Sequence, residues 1–395
     1  MTKLIISTVH RHASFSESSG FLYVVDLDGR ETLIRTPFVE PPMREFDRNP
    51  RGGMRGCRGI VLNQDHAFIS NFSMVVHFDS QWNVLRVISH PSCSGIHDIF
   101  ISYDTVWVTS TSNDLLIQFN NAGDLIHFIN LRDHSLWPDK LNWKPRLLNS
   151  HDDIVRGKTD FRNPKYFNPV TYNVAHVNSV CTLNSGDMLV SLGRISGIRY
   201  RLLLQLQHWL IQRGWWYILK DTINKIEVKG YSKKDVPRDD QVLLQRIRGT
   251  SVVQRLTNDG SIFTCLLLCN MTIPSHSLFK LAEEAIIYLN SSRGHVINFN
   301  PLTGEILFDK KISNGFLRGI TSVNDNLLVL GNRREIILFD LQSRSVVDRM
   351  EFTQEVNESV FAIQVIPSHF VLPPSNLSQH IYDQTGCSSS SALLK

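Results

Sequence analysis

Six segments far apart in the chain begin alike: Arg58-Gly-Ile-Val-Leu, His97-Asp-Ile-Phe-Ile, Asn178-Ser-Val-Cys-Thr, His276-Ser-Leu-Phe-Lys, Arg318-Gly-Ile-Thr-Ser and Glu358-Ser-Val-Phe-Ala. A large polar residue opens each, a small or short polar one follows, then a branched aliphatic. None of the six opening positions is aliphatic, although a merely space-filling position would tolerate Val, Thr or Ser. His176, two residues before Asn178, adds a third imidazole on the same strand face. Brought together, these groups support two chemistries. His97, His176 and His276 could ligate a divalent metal (Zn, Fe, Mn or Ca), with Glu358 as fourth ligand or as base for a bound water. Alternatively, Arg58 and Arg318 could grip an anion with their forked donors while a histidine acts as nucleophile, acid or base. A cation beside two arginines at about 6–8 Å meets roughly 2 to 3 kcal/mol of repulsion per unit charge from each, at an effective dielectric of about 20. Charge therefore favours the anion, in a reading that needs no cofactor. A structural reading competes with both: a polar channel, wet or internally paired, with Arg58 or Arg318 bridged to Glu358.

The elements that would position these side chains are short strands. In the first five units a turn and a second apolar strand follow, at 66–70, 105–109, 187–191, 285–289 and 326–330. A third follows in most, at 74–78, 115–119, 295–299 and 335–339, each ending in Phe before Asp or Asn, an aromatic followed by a turn-former. The opening residues stand 39 (58 to 97), 81 (97 to 178), 98 (178 to 276), 42 (276 to 318) and 40 (318 to 358) residues apart. Units of about 40 residues with three or four strands are propeller blades. The two long intervals carry excess of another texture. Residues 131–172, rich in Asp, Asn, Pro and Trp, read as a long loop, and 199–226 as a helical insertion, after which 250–268 resumes the outer strands. The last unit supplies one strand, and 4–7, 21–26 and 31–37 supply the rest of its blade. The expectation is an all-β, six-bladed β-propeller over 1–374, closed by both termini, with a disordered tail at 375–395. The first strand of each blade lines the axial channel, so the six opening residues should form a ring.

Residues 175–194, Ala-His-Val-Asn-Ser-Val-Cys-Thr-Leu-Asn-Ser-Gly-Asp-Met-Leu-Val-Ser-Leu-Gly-Arg, resemble the active-site hairpin of the bacterial arylsulfotransferases. That propeller family moves a sulfuryl group between phenols through a histidine intermediate. The resemblance implies substrate binding by His176, Asn178 and Arg194, and a second channel histidine at His97. His276 is the candidate for the sulfated nucleophile, although Pro274-Ser-His-Ser is not the family's motif there. In that version His176 and His97 handle protons, while Arg194, Arg58 and Arg318 hold the sulfate oxygens. More broadly, His97-Asp98-Ile, Leu317-Arg-Gly-Ile and Ser359-Val-Phe-Ala-Ile-Gln-Val-Ile-Pro are similar to an uncharacterised family of bacterial six-bladed propellers.

Composition narrows the classes. The chain has 395 residues, 42% hydrophobic and 20% charged, with 41 Lys plus Arg against 37 Asp plus Glu. That composition excludes a disordered chain, and the small net charge gives no case for nucleic acid as a partner. Six scattered cysteines form neither a disulfide framework nor a zinc pattern. Without a signal-like start or a long apolar run, a cytoplasmic location is the expectation. Arg293 and Arg333 read as surface turn charges, and the Gly-rich stretch at 51–58 precedes a strand and lacks a helix dipole for phosphate. The insertion at 199–226 combines Trp209, Trp215, Trp216 and Tyr217 with Arg199, Arg201, Arg213 and Lys220. It could form a wall of the site, or make peripheral contact with a membrane. The functional expectation is an enzyme acting on a small anionic or aromatic substrate in the channel. A metal-dependent hydrolase, lyase or oxygenase and a non-catalytic protein-binding propeller are the alternatives.

Overall fold

The computed structural model describes residues 2–132 except 15, 48–52 and 103, then 151–166, 175–195, single positions between 202 and 215, 250–257, 262–271 and 275–394. Its strands form six four-stranded antiparallel sheets, each running outward from the axis. The closing sheet takes β1 (Lys3–His10), β2 (Gly20–Asp26) and β3 (Glu31–Pro37) from the start of the chain, and β24 (Glu358–Val365) from its end. The first complete sheet is β4 (Ile60–Asn63), β5 (His66–Ser70), β6 (Met74–Asp79) and β7 (Val84–Ser89). The second is β8 (Ile96–Ser102), β9 (Thr105–Ser110), β10 (Leu115–Phe119) and β11 (Leu125–Asn130). In the third, β12 (Val177–Thr182) and β13 (Met188–Ile195) are followed, after the insertion, by β14 (Thr250–Leu256) and β15 (Ile262–Met271). The fourth is β16 (His276–Ala282), β17 (Ala285–Asn290), β18 (His295–Phe299) and β19 (Ile306–Lys311). The fifth is β20 (Leu317–Ser322), β21 (Leu327–Asn332), β22 (Glu335–Asp340) and β23 (Ser345–Glu351). Innermost strands contact one another in cyclic order, from β4 through β8, β12, β16 and β20 to β24 and back to β4.

Packing explains the repeated aromatic. Phe78, Phe119, Phe299 and Phe339, each the residue before an Asp or Asn, are almost fully buried. Each sits where the third strand shifts register against the fourth. The shift increases local twist and turns the ring into the core between blades. Every inter-blade core joins side chains from two adjacent sheets, as where Leu289 and Ile287 of β17 meet Leu317, Ile320 and Leu330 of the fifth sheet. Closure by both termini leaves no inner edge open to another chain.

Within 131–172 the described residues include a short helix, α1 (His151–Val155), whose Ile154 is buried in the core shared by the first and second sheets, and Arg132 pairs with Asp114 at 3.0 Å, both fully buried. The C-terminal tail requires a correction. Instead of disorder, residues 376–394 form α2 (Leu377–Thr385) and a docked turn. Asn376 caps the helix start, accepting from the backbone N–H of Gln379, and Gly386 ends it in the left-handed conformation at φ 67°. Leu377 and Ile381, one helical turn apart, are both 0% exposed. With Leu393 they join one core containing Leu22 and Val24 of the closing sheet and Phe78 and Trp82 of the first. The Leu377 N–H donates to Thr36 Oγ1 at 2.7 Å, and Trp82 Nε1 donates to the Val371 carbonyl at 2.8 Å. The tail thus straddles the seam where the ring closes; the serine run at 388–391 hid this apolar spacing.

Ile381→Ala should therefore destabilise the folded ring by about 2 to 4 kcal/mol, as a buried large-to-small change does. Urea unfolding should show a lower midpoint for Ile381→Ala and an unchanged one for the exposed Asp383→Ala; equal midpoints for both would contradict the docked tail.

Candidate functional site

One irregularity recurs at the inner end of all six sheets. In β8, His97 and Asp98 together face Thr109, because Ile96 pairs with Ser110 and Ile99 with Val108. In β12 the extra residue is Asn178, and in β16 it is Ser277, next to His276. In β20, Arg318 and Gly319 face Gly331, and in β24 the extra residue is Phe361. Just ahead of β4, the Arg58 N–H donates to the Ser70 carbonyl at 2.6 Å, and the Ser70 N–H donates to that of Gly59 at 2.9 Å, giving the same two-against-one arrangement. A bulge re-aims the side chain it carries, and here each bulge turns a side chain toward the axis. Gly319 takes φ 76°, and a Cβ there would lie 3.1–3.2 Å from Ile363 and Ala362 of the neighbouring strand, so glycine is required.

Short hydroxyl side chains satisfy the displaced backbone and tie blade to blade. Thr109 Oγ1 accepts from the N–H groups of His97 (3.2 Å) and Asp98 (2.8 Å). Ser179 Oγ donates to Asp98 Oδ2 at 2.7 Å and accepts from the Leu278 N–H at 2.9 Å, linking three sheets. Ser277 Oγ accepts from the Gly319 N–H at 3.2 Å, and Ser7 Oγ donates to the Arg58 carbonyl. Unsatisfied, these buried groups would each cost about 1–3 kcal/mol.

The three histidines converge. The ring centroid of His97 lies 4.9 Å from that of His176 and 6.2 Å from that of His276. One ring nitrogen from each lies within 4.8 Å of the others. His176 itself sits at φ 56°, held by Asp114 Oδ1, which accepts from the N–H groups of Ala175 and His176 at 3.0 Å each. Asn178 Nδ2 donates to the Ser275 carbonyl at 2.6 Å, so its Oδ1 faces His97 Nδ1, 2.6 Å away, and accepts a proton from it. The Ser291 hydroxyl donates to the Leu289 carbonyl, leaving its oxygen to accept from His276 Nδ1 at 3.0 Å. In both neutral rings Nε2 therefore carries the lone pair. Burial first, then the positive charge of Arg318, holds His97 and His276 well below the usual imidazole range.

Arg318 closes the site. Its guanidinium lies 3.2 Å from the centroid of the Phe361 ring, yet makes no hydrogen bond or ion pair with any described residue. Burial and the charges of Arg58, Arg11 and Arg55 disfavour its cationic form, and Asp98 partly offsets them. Asp98 accepts from Ser179, Val180 and Ile99; burial pushes its carboxyl up to about 6 despite these donors. Together with apolar side chains such as Ile99, Val180, Leu278 and Ile320, the residues His97, Asp98, Asn178, His276, Arg318 and Phe361 line an axial cavity of about 200 Å³.

Of the residues expected to meet here, His97, His176, His276, Asn178 and Arg318 do. Arg58 lies beside them, 5.5 Å from the Phe361 centroid, but its guanidinium also clamps the carbonyls of Arg55, Ile96 and Gly53. Glu358 is the correction. Its carboxylate accepts from Thr8 (3.0 Å), Tyr23 (2.6 Å) and Arg35 (2.5 Å) on the face of the closing sheet, and it stands outside the three-histidine group. Its ion-pair partner is Arg35, in place of the Arg58 or Arg318 that the structural alternative offered. In the closing sheet the bulge falls three residues later, so Phe361 takes the axial place. Arg194 belongs to β13 by its backbone, and its side chain lies outside the described residues. Sequence reasoning missed Phe361 and Asp114. Asp114, between Asn113 and an apolar strand, carries no sequence signal that sets it apart from a turn-former.

No protein-family model matches the chain, and no curated protein matches its sequence. Solved structures do match in shape. A protein of unknown function from Bacteroides caccae aligns over 93% of this chain and 99% of its own, at 9% identity and a TM-score of 0.53. A nidogen/laminin complex aligns over 93% and 99%, at 10% identity and 0.52. A streptogramin B lyase covers 76% and 71%, at 10% identity and 0.43. At such identities the likeness is one of fold, and that fold is the six-bladed β-propeller.

Proposed function

We propose that the protein binds a small anion-bearing substrate in the axial cavity and transfers the anionic group through a channel imidazole, as the arylsulfotransferases do. The observation that carries this reading is Arg318, stacked on Phe361 with no hydrogen-bond or ion-pair partner among the described residues, facing three imidazoles of which two are held neutral. A sulfuryl or phosphoryl group set against Arg318 supplies the missing counter-charge. The lone pair on His276 Nε2 attacks the sulfur or phosphorus, and the bond to the leaving oxygen breaks with its electrons. The proton on His276 Nδ1 stays with Ser291 throughout. In the second half, Nε2 of His97 accepts the proton of the incoming hydroxyl as that oxygen takes the group from His276. Arg318 stabilises the charge that spreads over the transferred oxygens.

A metal-dependent enzyme is the second reading, favoured by the three converging ring nitrogens and by the unprotonated Nε2 of His97 and His276. Arg318 counts against it, because among the described residues no carboxylate joins the group to balance a divalent ion beside a guanidinium.

Incubation with an aryl sulfate should give a covalent adduct of about 80 Da by intact-mass measurement, the increment of one transferred group. His276→Ala should abolish it, and Arg318→Met should slow its formation roughly 100-fold. No adduct, together with a stoichiometric metal by elemental analysis, would replace this reading with the metal-dependent one. No adduct, no metal and unaltered behaviour of His276→Ala would leave a non-catalytic scaffold.

Neutral imidazoles also make stability depend on pH. The unfolded chain binds protons at His97 and His276 below about 6.5, whereas the folded chain resists them, so their contribution is present above that pH and lost as pH falls. Asp98, whose carboxyl titrates higher folded than unfolded, acts in the opposite sense between about 6 and 4 and offsets one histidine. Between pH 7 and 5.5 the His97→Gln/His276→Gln protein should lose less unfolding free energy than the wild type. Equal losses by urea unfolding would show that the two rings are not held neutral.

A further inference from the structure

The insertion after β13 carries a one-sided charge. From 199 to 220 the sequence reads Arg-Tyr-Arg-Leu-Leu-Leu-Gln-Leu-Gln-His-Trp-Leu-Ile-Gln-Arg-Gly-Trp-Trp-Tyr-Ile-Leu-Lys, with four basic residues and no Asp or Glu. Leu202, Leu206 and Trp209 are helical and spaced i, i+4, i+7, which sets them on one helix face. These side chains are exposed: Leu202 is 57% exposed, Leu206 54%, Trp209 43% and, further on, Trp215 55%. Trp209 and Trp215 meet edge to face at 6.1 Å, and the Arg213 guanidinium lies 4.8 Å from the Trp209 ring centroid. Among the described residues, none of this segment lines the axial cavity, so these side chains do not act as its wall.

We propose that the strip carrying Leu202, Leu206, Trp209 and Trp215 docks the protein on an anionic lipid surface. Exposed Leu and Trp, in a stretch of sequence with four basic residues and no balancing acid, fit the boundary between headgroups and acyl chains. Tryptophan suits that boundary because its ring is apolar while its N–H can face water. A second copy of this chain fits poorly, since a two-fold contact would set each basic segment against its own like charge. The segment also has a definite place. β13 ends at Ile195, at the end of the third sheet where the Gly193 N–H donates to the His176 carbonyl at 2.8 Å. Seven residues span at most about 25 Å, so Leu202 stands within that reach of the imidazole end of the channel. Docking there would bring that end toward the bilayer, whichever reaction the cavity performs.

The test is co-sedimentation of the full chain with phosphatidylcholine vesicles, with and without phosphatidylglycerol, at low and high salt. Binding should require phosphatidylglycerol and weaken at least about tenfold in high salt, as surface attraction is screened. The Leu206→Glu/Trp209→Glu protein should bind at least about tenfold less, while Val356→Glu, at a position 78% exposed elsewhere, should bind as wild type. Matching unfolding curves would show that the variants keep the ring. Absence of binding to anionic vesicles, or equal binding by the double variant, would overturn the proposal. So would a dimer by light scattering that the double variant abolishes, since the strip would then be a contact between copies.

Discussion

The axial site depends on a local defect repeated six times. A regular inner strand alternates its side chains between two inter-blade cores and presents mainly backbone to the channel. A bulge breaks that alternation once per blade and turns a side chain toward the axis at a common depth. Its cost is a set of backbone groups out of register, and the hydroxyls of Ser7, Ser70, Thr109, Ser179 and Ser277 meet them. Ser7, Ser179 and Ser277 also bond across to a neighbouring sheet, so features that aim the functional side chains help hold the inner strands together. The apolar side chains that share the cavity wall, such as Ile99, Val180, Leu278 and Ile320, belong to the surrounding cores.

Electrostatics then gives the ring its character. The carboxylate that could have neutralised it, Glu358, is turned onto the closing sheet and held by Arg35, Tyr23 and Thr8. Asp98 remains nearby, engaged by Ser179 and two backbone N–H groups. Arg318 is therefore held by a ring face, a contact worth roughly 1 to 2 kcal/mol when desolvated. Neutral imidazoles beside an under-compensated guanidinium suit a ligand with negative charge. They suit a divalent cation less well, although three ring nitrogens converge as one would require.

Much of this was legible in the sequence for a physical reason. Blades repeat because each must bury the same faces, so the Phe-Asn and Phe-Asp strand ends and the polar opening residues recur at blade spacing. Five of the six opening residues stand at or beside the axis where the alignment put them. Glu358 deceived because a bulge's exact position is set by backbone pairing, which residue type does not reveal; in the closing sheet it falls at Phe361. Asp114 was invisible for a related reason, since it acts across sixty residues of chain on the N–H of His176. The tail was misread because four consecutive serines outweighed the i, i+4 pair Leu377 and Ile381 between an Asn cap and a Gly cap. The sulfuryl-transfer hairpin was read from sequence alone, and the Arg194 side chain it invokes lies outside the described residues.

The central claim is that Arg318 and the imidazoles form one anion site at the axis. Anomalous diffraction from crystals grown with tungstate, a tetrahedral dianion, tests it most directly. The account predicts a single strong peak in the cavity, at hydrogen-bonding distance from the Arg318 guanidinium and beside the Nε2 atoms of His97 and His276. A cavity free of tungstate, or one holding a metal ion coordinated by the three histidines, would contradict it.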